Sequence, residues 1–208
     1  MSEAIDFWRG DFGDRYSERC SGEQLVKNNE ALFRKALLPM FHTMPMRIIE
    51  FGANIGLNIR ALRRIGPFSN CEFAAVEPNE KAAEELRKID GVNVYQTAMQ
   101  DADEPWGRGY DLTIVKGVCI HIPPHDLPSA YAAIFRASRR YILLCEYFSH
   151  TPREIVYRGE SGRLWARDFC GELMDAYPDL RRVAYGFVDR RDPYPQDSVN
   201  WYLLERTQ

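Results

Sequence analysis

Seven consecutive residues, Glu50-Phe51-Gly52-Ala53-Asn54-Ile55-Gly56, carry the strongest chemical signal in the chain. They stand where an apolar run, Met46 to Phe51, gives way to a stretch with Ile55, Leu57, Ile59, Leu62 and Ile65 at helix-like intervals, which stops at Gly66-Pro67. Glycine lets a backbone turn sharply and approach a ligand closely, and a helix start behind it offers unpaired N–H groups with partial positive charge. A nucleoside and an amino-acid carboxylate both suit such a place. A bare strand-to-helix turn would show the same letters, so a second element matters. Glu77 ends the next strand-like run, Phe73 to Val76, 21 residues beyond Gly56. Neighbouring parallel strands bring their carboxyl ends together, where one carboxylate can accept both ribose hydroxyls and disfavour a 2′-phosphate. Its alternative is a solvated residue, or a cap for the helix after Asn79.

Other reactive side chains fall later. His121 lies just past the fourth strand-like run, at the expected cleft, and could act as general base toward a hydroxyl or an ammonium. Beside Ile120, Ile122 and Pro123 it could equally be packing. His125 reads as a helix-start residue. Glu146 and Tyr147 follow the fifth run, and either could orient an acceptor; His121 and Tyr147 are the catalytic candidates. Residues 149–168 form a polar segment in which Tyr157, Arg158, Arg163 and Trp165 suit a carboxylate or phosphate and a stacked ring, so it is expected to bind the acceptor, a solvated basic loop being the alternative. Phe7, Trp8, Phe12 and Tyr16 within residues 1–21 predict a lid over a cofactor, with simple docking on the core as the alternative.

These groups are positioned by a regular alternation of elements. Ser21-Gly22-Glu23-Gln24 has capping-box spacing, and Leu25, Leu32, Phe33 and Leu37 then recur at helical intervals to about Met40. Asn79 can cap the helix-forming EKAAEELRKI, which ends at Asp90-Gly91; Val92 to Tyr95 follows as a third strand. Tyr110 to Val115 and Tyr141 to Cys145 read as strands buried on both faces, with a helix from about Asp126 to Ala137 between them. After a short helix, Phe169 to Ala176, Arg182 to Val188 and Val199 to Leu204 are expected to pair antiparallel.

Length and charge narrow the function. The 208 residues, 45% hydrophobic, suffice for one core and one domain, with no repeat or linker to divide them. A formal net charge of −3 gives no global positive field, which favours a small-molecule acceptor over nucleic acid. No apolar run approaches the roughly 20 residues that span a bilayer. The N-terminus has no secretory pattern, so no membrane partner and a cytoplasmic location are expected. Cys20, Cys71, Cys119, Cys145 and Cys170 lack a CxxC pair, which predicts reduced, mostly buried thiols and no structural metal.

Glu50, Gly52, Gly56 and Glu77 together resemble the first two signature motifs of class I S-adenosylmethionine-dependent methyltransferases. Asn54 replaces the middle glycine, a position that Asn can fill because it tolerates left-handed backbone. The absence of GxGxxG weakens a nicotinamide oxidoreductase reading. The resemblance implies a Rossmann-like α/β fold: a mostly parallel seven-stranded sheet with an antiparallel C-terminal strand and helices on both faces. It also implies S-adenosyl-L-methionine as cofactor, held by Trp8, Tyr16, Glu50, Gly52, Asn54, Gly56, Glu77 and Pro78. Ala98 and Met99 would then flank the adenine, and Lys116, Gly117 and Val118 would line the sulfonium side. Phe7 to Gly13, Lys116 to Ile122, Tyr157 to Gly159, Leu164 to Phe169, Gly186 to Val188 and Pro195 to Asp197 are further similar to methylases associated with pseudaminic acid biosynthesis. That likeness implies O- or N-methylation of a sugar or nonulosonic-acid acceptor. The competing reading is a noncatalytic nucleoside-binding module that kept the pocket alone.

Overall fold

The computed structural model describes residues 3–43, 45–101 and 105–207. The aromatic leader folds as two short helices, α1 (Glu3–Arg9) and α2 (Asp11–Arg19), and is followed by α3 (Glu23–Ala36), whose Val26, Leu32, Phe33 and Ala36 are buried. The capping box expected at Ser21 does not form. Gly22, at φ 112°, occupies the N-cap, and Ser21 Oγ donates instead to the Glu18 carbonyl. The chain turns here between two helices, and the positive φ that turn requires places glycine, not serine, at the cap.

The remaining elements are β1 (Arg47–Phe51), α4 (Leu57–Leu62), β2 (Glu72–Val76), α5 (Glu80–Arg87), β3 (Val92–Tyr95), β4 (Tyr110–Lys116), α6 (Leu127–Ala137), β5 (Ser138–Glu146), β6 (Arg153–Glu154), β7 (Trp165–Ala166), α7 (Phe169–Ala176), β8 (Leu180–Val188) and β9 (Val199–Arg206). Seven strands make one sheet in the order β3-β2-β1-β4-β5-β9-β8. All run parallel except β9, which pairs antiparallel with both β5 and β8. This is the mostly parallel sheet with an inserted antiparallel C-terminal strand that the sequence predicts. The 149–168 segment contributes only the two-residue strands β6 and β7, paired apart from the main sheet.

Alternation along the central strands divides the core into two layers. Ile48, Leu112, Ile114, Leu143 and Leu203 face α3, α4 and α5, while Ile49, Phe51, Val115, Ile142 and Leu204 face α6 and α7. Successive strand side chains point to opposite faces, so strands covered by helices on both sides are apolar at nearly every position. No helix among the described residues is long and apolar enough to cross a membrane.

The N-terminal helices are tied to the carboxyl edge of the sheet by Asn79. Its Oδ1 caps α5 by accepting from Ala82 N (2.9 Å), and its Nδ2 donates to Asp14 Oδ1 (2.8 Å) and to the Trp8 carbonyl (3.2 Å). Arg9 pairs with Asp101 (3.3 Å) and Lys81 with Asp14 (2.7 Å) along the same seam. Gly13 lies so close to this seam that a Cβ would meet the Trp8 carbonyl oxygen at 1.9 Å.

Two substitutions test these relations. Gly56 begins α4 at φ 81°, and an added Cβ would stand 2.4 Å from Ile89 Cδ1 and 3.0 Å from Leu86 Cδ2. Gly56→Ala should therefore cost about 2 kcal/mol or more in urea denaturation; a change of under about 0.5 kcal/mol would refute the tight packing of this turn on α5. Asn79→Ala removes the cap and the seam together. It should cost roughly 1–2 kcal/mol and speed hydrogen exchange in α1 and α2 more than in β4 and β5.

Candidate active site

A cavity of about 470 Å³ opens at the carboxyl edge of the parallel strands, lined by the turns after β1, β2, β3 and β4, by the three N-terminal helices, and by the loop between β8 and β9. In open α/β sheets that edge is where ligands bind. Backbone geometry explains the first turn. Gly52 (φ 68°), Asn54 (φ 47°) and Gly56 (φ 81°) are all left-handed, which turns β1 back into α4 within five residues. Asn54 adopts the conformation that glycine usually supplies, and its side chain is held by Ser17 Oγ, which donates to Asn54 Oδ1 at 2.6 Å.

Glu77 lies directly against this turn. Its Oε2 accepts from Asn54 N (2.8 Å) and its Oε1 from Asn79 N (2.9 Å), so each oxygen keeps lone-pair capacity toward the cavity that Glu77 lines. The side chain is 7% exposed, and burial raises its pKa to about 7 against the opposing pull of the two amides. Glu50 sits deeper. It is 1% exposed, accepts from Asn58 Nδ2, has no partner for Oε2 among the described residues, and is pushed up to about 8 by burial. It does not line the cavity, whereas Asn58 does, and Asn58 Oδ1 is likewise buried without a partner.

His121 lines the cavity from the short 3₁₀ turn Cys119–His121 after β4. That turn is held by Glu146, whose carboxylate accepts from Val118 N (3.0 Å), Cys119 N (3.0 Å) and Ile120 N (3.4 Å). Burial raises Glu146 to about 7, and it is 3% exposed, so it positions the turn rather than meeting a ligand itself. His121 Nδ1 is 2.8 Å from the Arg163 carbonyl. A carbonyl only accepts, so Nδ1 carries the proton and Nε2 presents a lone pair. Desolvation lowers this imidazole to about 4, which keeps it neutral near pH 7.

Trp8 and Tyr16 cover the cavity from α1 and α2. The Trp8 ring stands 4.5 Å from the His121 ring and 5.4 Å from that of Tyr16, and its buried Nε1 has no partner among the described residues. Pro78, Ala98, Met99 and Lys116 also line the space.

The structure thus gathers Trp8, Tyr16, Gly52, Asn54, Glu77, Pro78, Ala98, Met99, Lys116 and His121 around one cavity. Glu50 and Gly56 lie behind its wall, Glu50 bonded to Asn58 and Gly56 packed on α5. Tyr147 is outside the lining, set against Arg167, Phe169 and Tyr202. The four aromatic and basic residues expected to touch an acceptor are outside it too. Arg163 offers its carbonyl to His121, while its guanidinium pairs with Glu3 (2.9 Å) and covers the Phe7 ring (4.6 Å). Tyr157 packs 5.1 Å from His121 and 5.8 Å from Phe12, Arg158 stands over Tyr157 at 5.8 Å, and Trp165 lies in β7. This segment therefore buttresses the aromatic cover from outside. Sequence reasoning did not place Asn28, Asn29, Asn58 or Gln196 at the site: the three asparagines stand where nothing in the local pattern marks them off from ordinary helix polarity, and Gln196 figured only in the Pro195 to Asp197 likeness.

No family model matches the chain, and no curated protein matches it in sequence. Solved structures do match in shape. Magnesium protoporphyrin IX methyltransferase from Synechocystis PCC 6803, with bound S-adenosylmethionine, aligns over 99% of this chain and 98% of its own at 10% identity and a TM-score of 0.71. The 1,6-didemethyltoxoflavin-N1-methyltransferase of Burkholderia thailandensis, with its acceptor and S-adenosylhomocysteine bound, aligns over 100% and 92% at 15% identity and 0.71. An S-adenosylmethionine-dependent methyltransferase from Leishmania major aligns over 97% and 81% at 19% identity and 0.67. In strand order, antiparallel insertion and helix placement, this chain has the Rossmann-like fold of the class I S-adenosylmethionine-dependent methyltransferases.

Proposed function

We propose that this chain is an S-adenosylmethionine-dependent methyltransferase that acts on a small polar acceptor. The observation that carries the reading is Glu77: a buried carboxylate fixed by the amides of two adjoining turns, with lone pairs left over, at the edge of a cavity large enough for a nucleoside cofactor. Those lone pairs suit the two ribose hydroxyls. The apolar Pro78, Ala98 and Met99 suit the faces of an adenine, and Lys116 with the turn at Gly52 suits the amino-acid end. The unpartnered Trp8 Nε1 and Asn58 Oδ1 are buried polar atoms for which a bound ligand would supply partners. When bound, the cofactor supplies a methyl group on a positively charged sulfur.

What the chain itself contributes follows from its residues. The aromatic cover of Trp8 and Tyr16 excludes water, and alignment of acceptor with methyl donor is the main requirement for an in-line transfer. The acceptor proton passes to His121 Nε2, the lone pair left open by the Nδ1–H···O=C bond to Arg163. His121 fills this role rather than Tyr147, which lies outside the cavity. The acceptor class, a sugar or nonulosonic-acid metabolite, rests on the likeness to pseudaminic acid-associated methylases in Phe7 to Gly13 and Lys116 to Ile122.

Two measurements test the cofactor reading. S-adenosylhomocysteine should raise the melting temperature of the wild type and leave Glu77→Ala unmoved; a wild type that ignores both S-adenosylmethionine and S-adenosylhomocysteine would sink the proposal. Titration calorimetry across pH adds a sign. Free Glu77 takes up a proton below about pH 7, whereas gripping two hydroxyls requires the carboxylate. The dissociation constant for S-adenosylhomocysteine should therefore climb by up to about tenfold per pH unit as pH falls below 7, and Glu77→Gln should bind more weakly with a flatter slope.

A further inference from the structure

The cavity has a second polar wall that the cofactor assignment leaves unused. Asn28 and Asn29 on α3 are 4% and 6% exposed, and Gln196, from the loop between β8 and β9, is 9% exposed. Gln24 Nε2 donates to Asn28 Oδ1 (2.8 Å), and Gln196 Nε2 donates to Asn29 Oδ1 (3.1 Å) across 167 residues of sequence. Each asparagine oxygen thereby accepts one hydrogen bond. Among the described residues, neither asparagine NH₂ group has an acceptor and the Gln196 carbonyl has no donor, yet all three side chains line the cavity.

Topology separates this wall from the adenosine end. β8 runs parallel to β1, so the loop that follows it emerges at the same carboxyl edge as Glu77. β1, β4 and β5 stand between β2 and β9, which puts the two strands roughly 20 Å apart at the usual strand spacing. His121 lines the same cavity from the turn after β4, one of the strands between them. We propose that Asn28, Asn29 and Gln196 are the acceptor-reading wall of the cavity, and that they select a polyhydroxylated compound gripped on an uncharged, hydroxyl-bearing face. The inference rests on the methyltransferase reading given above.

The chemistry of the wall supports the class. A hydroxyl both donates and accepts, and this wall offers two NH₂ donors beside amide oxygens with lone pairs to spare, the Gln196 carbonyl first among them. None of the three side chains is ionised: Lys27 and Glu30, which flank the asparagines, do not line the cavity, and Arg190 and Asp197, which do, are exposed. An acceptor that had to bury an ammonium or a carboxylate against these amides would lack a counter-charge there.

The test uses the full chain saturated with S-adenosylhomocysteine. Glucose, N-acetylglucosamine and N-acetylneuraminic acid serve as hydroxyl-rich probes, with cyclohexylamine and cyclohexanecarboxylate as charged controls of similar size, read by saturation-transfer NMR and calorimetry. Asn29→Asp keeps the oxygen that Gln196 grips but replaces the donor with a second, negatively charged oxygen; Gln196→Met removes the carbonyl together with the NH₂ that holds Asn29. At least one hydroxyl-rich probe should bind while the controls do not. Either variant should weaken that probe by roughly tenfold with S-adenosylhomocysteine affinity changed less than twofold. Binding of the charged controls in preference, no binding of any hydroxyl-rich probe, or an equal loss of S-adenosylhomocysteine affinity in the variants would each overturn the proposal. Failure of the wild type to bind S-adenosylhomocysteine at the outset would instead bring down the cofactor reading, and this inference with it.

Discussion

One buried carboxylate joins the two turns on which the cavity is built. Glu77 receives an amide from the turn after β1 and another from the turn after β2, so the tips of two neighbouring strands are held in a single arrangement. Removing a carboxylate from water is unfavourable, and two backbone N–H donors aimed at it offset part of that cost. The left-handed Asn54 belongs to the same arrangement: its amide meets Glu77, while its side chain receives the Ser17 hydroxyl from α2. Loop, strand tip and covering helix are thus fixed by groups within two hydrogen bonds of one another.

The same device recurs along the edge. Buried Glu50 is the penultimate residue of β1, buried Glu146 ends β5, and buried Glu77 directly follows β2; each fixes the segment beside it. Glu50 takes the Asn58 amide at the start of α4, and Glu146 takes three backbone amides of the turn that carries His121. Loops left to themselves are the mobile parts of a fold. Here the loops that line the cavity are anchored from beneath, by acids whose own pKa values burial has raised. The aromatic cover is anchored differently, by Asn79 on one side and by the Arg163 segment on the other.

How much of this was legible in the sequence depended on how local each cause is. The strands Phe73–Val76 and Val92–Tyr95 and the cap at Asn79 were readable, because period, β-branching and capping chemistry act over a few residues. The turn at Glu50–Gly56 was readable as a site, yet its glycines do different jobs: Gly52 lines the cavity, and Gly56 makes room for Ile89. Only the partner, 33 residues away, distinguishes them. Ser21 misled because spacing alone cannot show that Gly22 sets the direction of the chain. The Arg163 segment carried suitable functional groups, but they turn toward Glu3 and Phe7 instead of the cavity. Asn28 and Asn29 had no sequence signal and Gln196 only its place in the Pro195 to Asp197 likeness, since the pairing of Asn29 with Gln196 spans 167 residues and depends on strand order.

That strand order has a consequence for how the molecule comes together. Among the described residues β8 has no sheet neighbour except β9, and β9 lies between it and β5. A chain lacking its final eight-residue strand would lose not one strand but two from the sheet, along with the loop that carries Gln196. β5 meets β9 across no longer a separation than β1 meets β4, so it is the position of β9 in the chain that makes it the last strand of the sheet to be synthesised. During synthesis the half built from β1 to β4 can assemble while the opposite wall of the cavity still awaits the C-terminal hairpin.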